Sequence, residues 1–185
     1  MQVATLLIAD GADFVSRRVE TLCLTLTGIA GDRHAGPMRA ADARTPWHKR
    51  GTAIANTRQI SLLSVEECAE VARAMDIPVV QPELLGANLV LSEAPGLSLL
   101  PSATRLRFPS GATIFVTEQN APCRFPAEKL AAAHGRPRLA ALFPKAAIGR
   151  RGLVGIVECE GEVRTGDAVT YLPPRGQVTQ RAALR

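Results

Sequence analysis

Hydrophobic and polar residues alternate with a period of two in eight segments of the chain, which is the pattern of half-buried β-strands. The eight segments are residues 3–8, 20–26, 59–63, 86–91, 104–108, 113–117, 153–159 and 167–172. Short turn sequences at 108–112 and 160–162 can each close a hairpin, and Gly166 favours another reversal. The pattern predicts a mainly β fold whose C-terminal third is antiparallel.

Helical spacing of apolar residues is clearest over residues 64–75, where Ser64 and Glu67 form a capping box at the start. A second helix is predicted over 127–134, between a proline and a glycine. A third, over 138–147, is interrupted by a proline. Three short helices beside so many strands are expected to lie at the periphery of the fold.

Residues 31–57 have no clear period and are rich in glycine, proline and charge, which is typical of a functional loop. Within this loop, Trp47-His48-Lys49-Arg50 lies where we hypothesise a lid. A chain of 185 residues is long enough for one core and short for two. We predict a single domain over 1–172 and a flexible tail over 173–185.

The composition is that of a soluble globular protein, with 46% hydrophobic and 21% charged residues. No apolar run approaches the roughly 18 residues that suggest a membrane span. The N-terminus lacks a basic region, and Asp10 interrupts its apolar stretch, so a signal peptide is not expected. We therefore predict a cytoplasmic location, a reducing environment and four free thiols.

The formal charge of +5 and the isoelectric point near 9.5 are compatible with an anionic partner. Lysines and arginines are scattered along the chain, and 4% aromatic residues argue against a stacking platform for single-stranded nucleic acid. Arginine predominates among the cations, which suits bidentate recognition of phosphate or carboxylate. A small phosphorylated ligand and a basic surface without any partner both remain open.

Common catalytic motifs are missing from the sequence. The three histidines lack the His-Glu-x-x-His spacing of zinc proteases, and no pair of cysteines has zinc-knuckle spacing. There is no phosphate-binding loop of the Gly-x-x-x-x-Gly-Lys type, no Gly-x-Gly-x-x-Gly and no Gly-x-Ser-x-Gly. These absences argue against a dedicated zinc site and against the common nucleotide-binding and hydrolase classes.

The four cysteines differ in their local chemistry. Cys23 lies in an alternating strand, Cys68 on the apolar face of the first predicted helix, and Cys159 between two glutamates, so we interpret these three as structural. Cys123 follows a strand and a stiffening proline, and the adjacent Arg124 favours a thiolate. Local chemistry leaves two interpretations of Cys123, a functional thiol or a half-exposed loop cysteine.

Seven short motifs occur in an order that resembles the MOSC family, named for the C-terminal domain of molybdenum cofactor sulfurases. They are Gly31-Asp32-Arg33-His34, Arg58-Gln59-Ile60-Ser61-Leu62, Gly86-Ala87-Asn88-Leu89, Ser110-Gly111-Ala112, Pro122-Cys123, Arg151-Gly152-Leu153 and Gly161-x-Val163-x-x-Gly166-Asp167. Each motif is weak alone, but their order and spacing over residues 15–172 are specific. The sequence looks like a small stand-alone bacterial domain of this type.

The resemblance implies a MOSC-type β-barrel with a few peripheral helices and one family cysteine, which is Cys123 here. That cysteine either ligates molybdenum in a bound molybdopterin cofactor or carries sulfane sulfur. The implied enzyme reduces N-hydroxylated small molecules with electrons from a separate protein. The alternative is a persulfide relay between a sulfur donor protein and an acceptor. The resemblance also implies pyridoxal phosphate as a ligand of the family.

A third alternative is a non-catalytic module in which the basic segment over residues 33–50 docks an anionic partner. In that case, Cys123→Ser would leave binding unchanged.

The resemblance also assigns cofactor-binding roles to other motif residues. Arg58, Arg124 and Arg151 are candidates for the anionic end of the cofactor, and Gln59 and Asn88 for its ring edges. Two departures from the family pattern remove polar groups: an alanine follows the glycine of the Gly-Glu-Asn motif, and Gln-Asn-Ala precedes Pro-Cys in place of Arg-x. At least one polar contact to the cofactor is therefore absent.

Asp32 and His34 are candidates for a catalytic role in proton transfer, because a carboxylate next to a histidine can fix its tautomer or supply a proton. The alternative is structural. Gly31 would then need a positive φ, and Asp32 would only accept hydrogen bonds from loop amides.

Overall fold

The structure, a computed structural model, describes residues 1–174. Most of the predicted flexible tail, residues 175–185, lies outside the described residues. The strands are β1 (Gln2–Ile8), β2 (Arg17–Val19), β3 (Thr21–Thr25), β4 (Gly28–Ile29), β5 (Met38–Ala40), β6 (Ala53–Ala55), β7 (Ile60–Ser64), β8 (Leu89–Ser92), β9 (Arg105–Arg107), β10 (Thr113–Gln119), β11 (Leu153–Cys159), β12 (Gly161–Arg164) and β13 (Thr170–Leu172). The α-helices are α1 (Val65–Ala74), α2 (Arg124–Ala133) and α3 (Leu139–Ala146).

Eight strands form one mixed sheet in the order β13-β9-β10-β11-β7-β8-β1-β2. All neighbours in it are antiparallel except β7 and β8, which are parallel and are joined by a crossover that contains α1. A three-stranded sheet has the order β12-β3-β4, and β5 pairs with β6 in a separate hairpin. The prediction of a mainly β fold is confirmed.

Each face of the large sheet is covered by a different layer, which gives two cores. The small sheet contributes Leu22, Leu24 and Val163 to one core, against the face that carries Leu62. The helices pack on the other face, around Phe143 and other apolar residues. Because both faces are covered, all five residues of β7 are buried.

The predicted barrel is not confirmed, because the named strands form an open sheet with β13 and β2 at its edges. The segment before β13 does return to β1. The N–H of Val3 donates to the carbonyl of Asp167 at 2.9 Å, and the N–H of Gly166 donates to the carbonyl of Val3 at 2.8 Å. These bonds tie the segment next to the β13 edge to the first strand.

The turn predicted at 160–162 does not close a hairpin. The strand that follows it, β12, pairs with β3 in the small sheet, whereas β11 pairs with β10 and β7. The loop predicted over 31–57 is also more regular than expected, because β5 and β6 form a hairpin within it. Strands β12 and β3 are far apart in sequence, and β5 and β6 have only three residues each. Alternation of hydrophobic and polar residues therefore did not indicate either pairing.

The capping box predicted at the start of α1 is only half formed. Ser64 Oγ accepts a hydrogen bond from the N–H of Glu67 at 3.2 Å, as expected for an N-cap. The Glu67 carboxylate does not return the bond. It accepts hydrogen bonds from the N–H and the hydroxyl of Ser98 at 2.9 and 2.7 Å, and thereby ties α1 to the loop after β8.

Among residues 1–174, no helix combines the length and the apolar character that crossing a lipid bilayer requires.

Candidate functional site

Cys123 is the N-cap residue of α2 and its side chain is exposed. The segment that leads to Cys123 is anchored to the residue before β11, because the N–H of Asn120 donates to the carbonyl of Gly152 at 2.9 Å. The first N–H groups of a helix are unpaired and carry partial positive charge, and the Cys123 side chain makes no capping hydrogen bond to them. The structure therefore presents Cys123 to solvent at a helix N-terminus.

Two arginines lie within electrostatic reach of Cys123. Burial is the main reason why the pKa of Arg151 is lowered to about 10, and the negative charge of a Cys123 thiolate offsets part of that effect. It also raises the pKa of Arg44, for which the main cause is the ion pair with Asp42. Arg44 was not among the residues predicted for the site.

Arg151 is a buried cation that lacks a carboxylate partner among its hydrogen bonds in the described structure. Its Nη2 donates to the carbonyl of Leu85 at 2.6 Å, while Nε and Nη1 are sealed from solvent and have no hydrogen-bond partner among residues 1–174. Burying a guanidinium without full pairing is costly. A fold keeps such a group most readily where its positive potential is used.

Although Arg124 is adjacent to Cys123 in sequence, its side chain is paired with another residue of α2. Its Nε donates to Glu128 at 2.5 Å, one helical turn along α2, and its side chain is largely exposed. The sequence analysis had assigned the cation beside the thiol to Arg124. In the structure, Arg151 and Arg44, from other parts of the chain, are the arginines whose pKa values respond to a charged Cys123.

Arg58 is also engaged by the protein itself. Its Nη1 donates to Glu118 at 2.6 Å and its Nη2 to Asn120 at 2.7 Å. Burial lowers the pKa of Arg58, and the charges of Arg44 and Arg39 lower it further, whereas Glu118 raises it. Arg44 and Arg39 thus lie close enough to Arg58 for their positive charges to act on it.

A carboxylate is buried behind these arginines. Asp32 accepts hydrogen bonds from the N–H of Ala9 and from Asn88 Nδ2, both at 2.8 Å, and from the N–H and Nδ1 of His34, both at 2.7 Å. Burial raises the pKa of Asp32, but the hydrogen bonds from His34 and Ala9 outweigh it and leave the pKa below its ordinary value. The carboxylate is therefore ionised at neutral pH.

The structural role considered for Gly31 and Asp32 agrees with this geometry, because Gly31 has a φ of +83° and Asp32 accepts two main-chain N–H groups. The same geometry also constrains the histidine. An ionised carboxylate only accepts, so the neutral imidazole of His34 must carry its proton on Nδ1. Nε2 is then the basic nitrogen, on a side chain that is one-third exposed.

Hydrogen bonds connect the His34 loop back to the Cys123 approach. Asn56 Nδ2 donates to the His34 carbonyl at 2.7 Å, and Asn56 Oδ1 accepts from the N–H of Arg58 at 3.1 Å. Asn120, which accepts from Arg58, also donates to Ser61 Oγ at 3.4 Å. The N–H of Ser61 in turn donates to Asn88 Oδ1 at 3.0 Å.

These contacts form a closed polar ring, which joins three of the sequence motifs and the residues before Cys123. The polar ring consists of Asp32, His34, Asn56, Arg58, Asn120, Ser61 and Asn88. Asn56, Asn120 and Ser61 were not predicted as site residues. In the sequence they were indicated by their positions inside or next to the motifs. Short polar residues are easily overlooked at such positions.

Two residues assigned to cofactor ring edges are unavailable for that role. Asn88 is fully buried, and its amide is used within the polar ring. Gln59 is also buried: Oε1 accepts from the N–H of Val157 at 3.1 Å and Nε2 donates to the carbonyl of Leu26 at 3.2 Å. Both amides therefore hold the fold together, and the expectation that they meet a pterin is not supported.

The remaining cysteines are distinguished by exposure. Cys68 is half-buried, and burial raises its pKa to about 11, which makes it a poor nucleophile. Cys23 and Cys159 are exposed, and Cys23 lies on the outward side of β3 as an alternating strand residue. All four thiols are free, and within residues 1–174 no cluster of three histidine, cysteine or acidic side chains could hold a metal ion.

Positive charge is concentrated in one segment of the chain, which includes Arg44 and Arg58, rather than scattered. Residues 33–58, which we call the basic loop, contain six lysines and arginines and one acidic residue, Asp42. The tail at 175–185 contains three arginines, which leaves 13 basic and 16 acidic residues in the rest of the chain. The basic loop thus carries a net charge of +5 on a body that is itself negative.

Two shallow grooves of about 490 Å³ each lie near the helices. One is bordered by Met75 and Leu142, and the other by Val79 and Leu84. Neither groove includes Cys123 or a member of the polar ring among its lining residues, so neither is part of the site around the thiol.

The open, mainly β fold, the single cysteine at a helix start and the polar ring define one family of domains. The chain belongs to the MOSC domain family, whose model matches residues 31–170.

Among known proteins, the chain is 42% identical over 178 residues to a protein of Bacillus subtilis (strain 168) that bears the name "Putative metal-sulfur cluster biosynthesis proteins YuaD"; the match covers 96% of this chain and 93% of that one. The crystal structure of YuaD from Bacillus subtilis is similar at 43% identity with a TM-score of 0.89, over 91% of this chain and 93% of that one. The crystal structure of YiiM from Escherichia coli has the same fold, with a TM-score of 0.57 at 20% identity, over 93% and 70% of the two chains.

Proposed function

We propose that this protein is a sulfur carrier in which Cys123 accepts a sulfane sulfur atom and passes it on for the assembly of a metal–sulfur cofactor. The observation that carries the proposal is the exposed thiol at the start of α2, in the field of Arg151 and Arg44. The name of the similar Bacillus protein supports the same direction, since it refers to metal-sulfur cluster biosynthesis.

The chemistry requires a donor persulfide and no further oxidant. The Cys123 thiolate attacks the outer sulfur of a persulfide on a donor protein. The sulfur–sulfur bond of the donor breaks, a new one forms on Cys123, and the donor leaves as a thiolate. An acceptor nucleophile then takes the outer sulfur from Cys123 in the same way, and the Cys123 thiolate is regenerated.

The surrounding residues have distinct roles in this proposal. Arg151 and Arg44 stabilise the negative charge of the Cys123 thiolate and of the persulfide anion that replaces it. The polar ring fixes the Cys123 approach through Asn120 and leaves Nε2 of His34 as a base for protons exchanged with donor or acceptor thiols. Asp32 acts through His34, so it is a positioning residue here.

A molybdenum cofactor fits the site only in part. The thiol suits a soft metal, and the arginines suit an anionic group, but the amides of Gln59 and Asn88 are used internally. A molybdenum-dependent reductase is therefore the second candidate, and it is favoured by the unpaired charge of Arg151 beside the thiol. Such a reductase would also need electrons from a separate protein.

Persulfide loading tests the proposal directly. We expect inorganic polysulfide to place one extra sulfur atom on Cys123 roughly tenfold faster than on Cys23 or Cys159, which are exposed but lack the buried arginine. The readout is peptide mass spectrometry after trapping with an alkylating agent. Cys123→Ser should lose the modification, and the matched Cys159→Ser should retain it; equal loading of all three exposed cysteines would contradict a dedicated carrier.

Molybdenum content separates the two candidates. For a sulfur carrier expressed in cells that make molybdenum cofactor, elemental mass spectrometry should find no stoichiometric molybdenum in the wild type. Near-stoichiometric molybdenum that disappears in Cys123→Ser would replace the proposal with the reductase.

Substitution of Arg151 should separate reactivity from stability. We expect Arg151→Met to slow alkylation of Cys123 by iodoacetamide at neutral pH by roughly five- to tenfold, because a nearby buried cation is lost. Its free energy of unfolding should stay within about 1 kcal/mol of wild type, since a poorly paired buried charge contributes little net stability.

Arg124→Met is the matched control for this experiment, because Arg124 is adjacent to Cys123 in sequence but is paired with Glu128. Its alkylation rate should stay within about twofold of wild type. A larger effect from Arg124 than from Arg151 would contradict the assignment.

A further inference from the structure

The basic loop has a firmly held base and a solvent-exposed tip. At the base, Asn56 Nδ2 donates to the carbonyls of His34 and Gly36 at 2.7 and 3.1 Å, and Thr117 Oγ1 donates to the carbonyl of Thr57 at 2.7 Å. Above it, the hairpin of β5 and β6 leads to the tip. Ala41 and Thr45 are buried in this turn, whereas most of the residues between and after them are exposed.

The tip, residues 42–51, is ordered by its own hydrogen bonds. The N–H of Thr45 donates to the carbonyl of Asp42, and the N–H of His48 donates to the carbonyl of Thr45, both at 3.0 Å. The N–H of Gly51 closes the tip by donating to the carbonyl of Ala41 at 2.8 Å. The tip therefore presents its side chains at low entropic cost to a partner.

These side chains combine an aromatic anchor with uncompensated cations. Trp47 is 74% exposed, and His48, Lys49 and Arg50 beside it are also exposed. A second exposed aromatic residue, Phe125 at 69%, lies two positions after Cys123 at the start of α2. Tryptophan, phenylalanine and arginine are enriched in protein-binding surfaces.

From this arrangement we propose that the tip of the basic loop, with Phe125, is a docking surface for an acidic protein that exchanges sulfur with Cys123. The proposal rests on the sulfur-carrier function and adds the partner. Charge complementarity supports an acidic partner, since the net positive charge of the described chain lies in this loop. A protein is favoured over single-stranded nucleic acid because the aromatic residues are few and form no stacking row.

The base of the basic loop is also connected to the segment that leads to Cys123. Arg58 at its base bonds to Asn120, three residues before Cys123. Asp42 at the start of the tip pairs with Arg44, which lies within the field of the thiolate. A partner on the tip would therefore hold its own sulfur group near Cys123.

Trp47 is the one tryptophan of the chain, so its fluorescence reports on the proposed surface alone. The probes are a glutamate-rich peptide and its lysine-for-glutamate counterpart. We expect the acidic peptide to change Trp47 emission in a saturable, salt-sensitive way and the basic peptide to have no effect. The double variant Lys49→Glu/Arg50→Glu should bind the acidic peptide roughly tenfold more weakly.

The control variant is Arg138→Glu/Lys145→Glu, which makes the same change in net charge on the exposed surface near α3. It should bind the acidic peptide nearly as well as wild type. Equal weakening by both variants, or no binding of the acidic peptide, would overturn the proposal. A single-stranded oligonucleotide that binds the tip more tightly than the acidic peptide would overturn it in favour of nucleic acid.

Sulfur loading from polysulfide is measured separately with the same variants and needs no docking. If Lys49→Glu/Arg50→Glu loads normally yet the acidic peptide does not bind wild type, the docking surface fails and the carrier function stands. If the peptide binds as expected but Cys123 does not load, the carrier function fails and the surface remains.

Discussion

Asp32→Asn should destabilise the fold by about 3 kcal/mol at neutral pH, although it changes the side chain by one atom. The buried carboxylate accepts four hydrogen bonds, two from main-chain N–H groups and two from side chains. An asparagine has only one acceptor oxygen, and its NH₂ group would face donors. The free energy of unfolding from urea titration measures this change.

The pH dependence of the same variant has a defined sign. Because the pKa of Asp32 is lowered on folding, its ionised form contributes stability that is present above the unfolded pKa of about 4 and is lost as pH falls through the folded pKa. The difference between wild type and Asp32→Asn should therefore be full at neutral pH and should shrink below about pH 4.

Asp167→Asn serves as a control, since Asp167 is only half-buried and its carboxylate accepts a single hydrogen bond within residues 1–174, from the N–H of Arg164 at 2.8 Å. It should cost less than about 1 kcal/mol. A difference for Asp32→Asn that stays constant into the acid range would contradict the ionised buried carboxylate.

Gly152→Ala should be more damaging still, with a loss of at least about 4 kcal/mol in the free energy of unfolding. Gly152 has a φ of +82°, and a Cβ added there would lie 1.8 Å from the carbonyl oxygen of Leu62 on the adjacent strand. The obstacle is main chain of a central, fully buried strand, so it cannot move aside. Against a typical stability of about 5–15 kcal/mol, this loss is a large fraction of the total and should lower the midpoint of thermal unfolding markedly.

Gly111→Ala is the matched control, because Gly111 also has a positive φ, +91°, but an added Cβ would meet nothing within 4 Å. It should cost only the backbone strain of about 1 kcal/mol. Similar thermal stabilities for the two variants would contradict the close approach at Gly152, which also fixes the position of the neighbouring Arg151.

Much of the fold was predictable, because hydrophobic and polar residues alternate along a strand that is more buried on one face than on the other. All eight predicted segments contain strands, and all three predicted helices overlap those observed. Strands such as β2 and β4 were missed because two or three residues cannot establish a period. The pairing of β12 with β3 was missed because long-range partners leave no local signal.

The site was only partly predictable from sequence, for the same physical reason. Cys123 was indicated by its motif, but Arg124 was chosen because it is adjacent in the chain, whereas a helix directs it to Glu128. Gln59 and Asn88 were chosen for chemistry that burial makes inaccessible. Pyridoxal phosphate, the cytoplasmic location and the partners remain predictions.

The uneven distribution of charge makes the molecule an electric dipole, whose positive pole is the basic loop and whose negative pole is the rest of the described chain. A dipolar protein rotates in the field of a charged surface before it touches it. On a cation-exchange matrix it should therefore adsorb in one orientation, with the basic loop towards the matrix. The Cys123 thiol would then be shielded from reagents in the liquid phase, and its labelling would recover only when salt releases the protein.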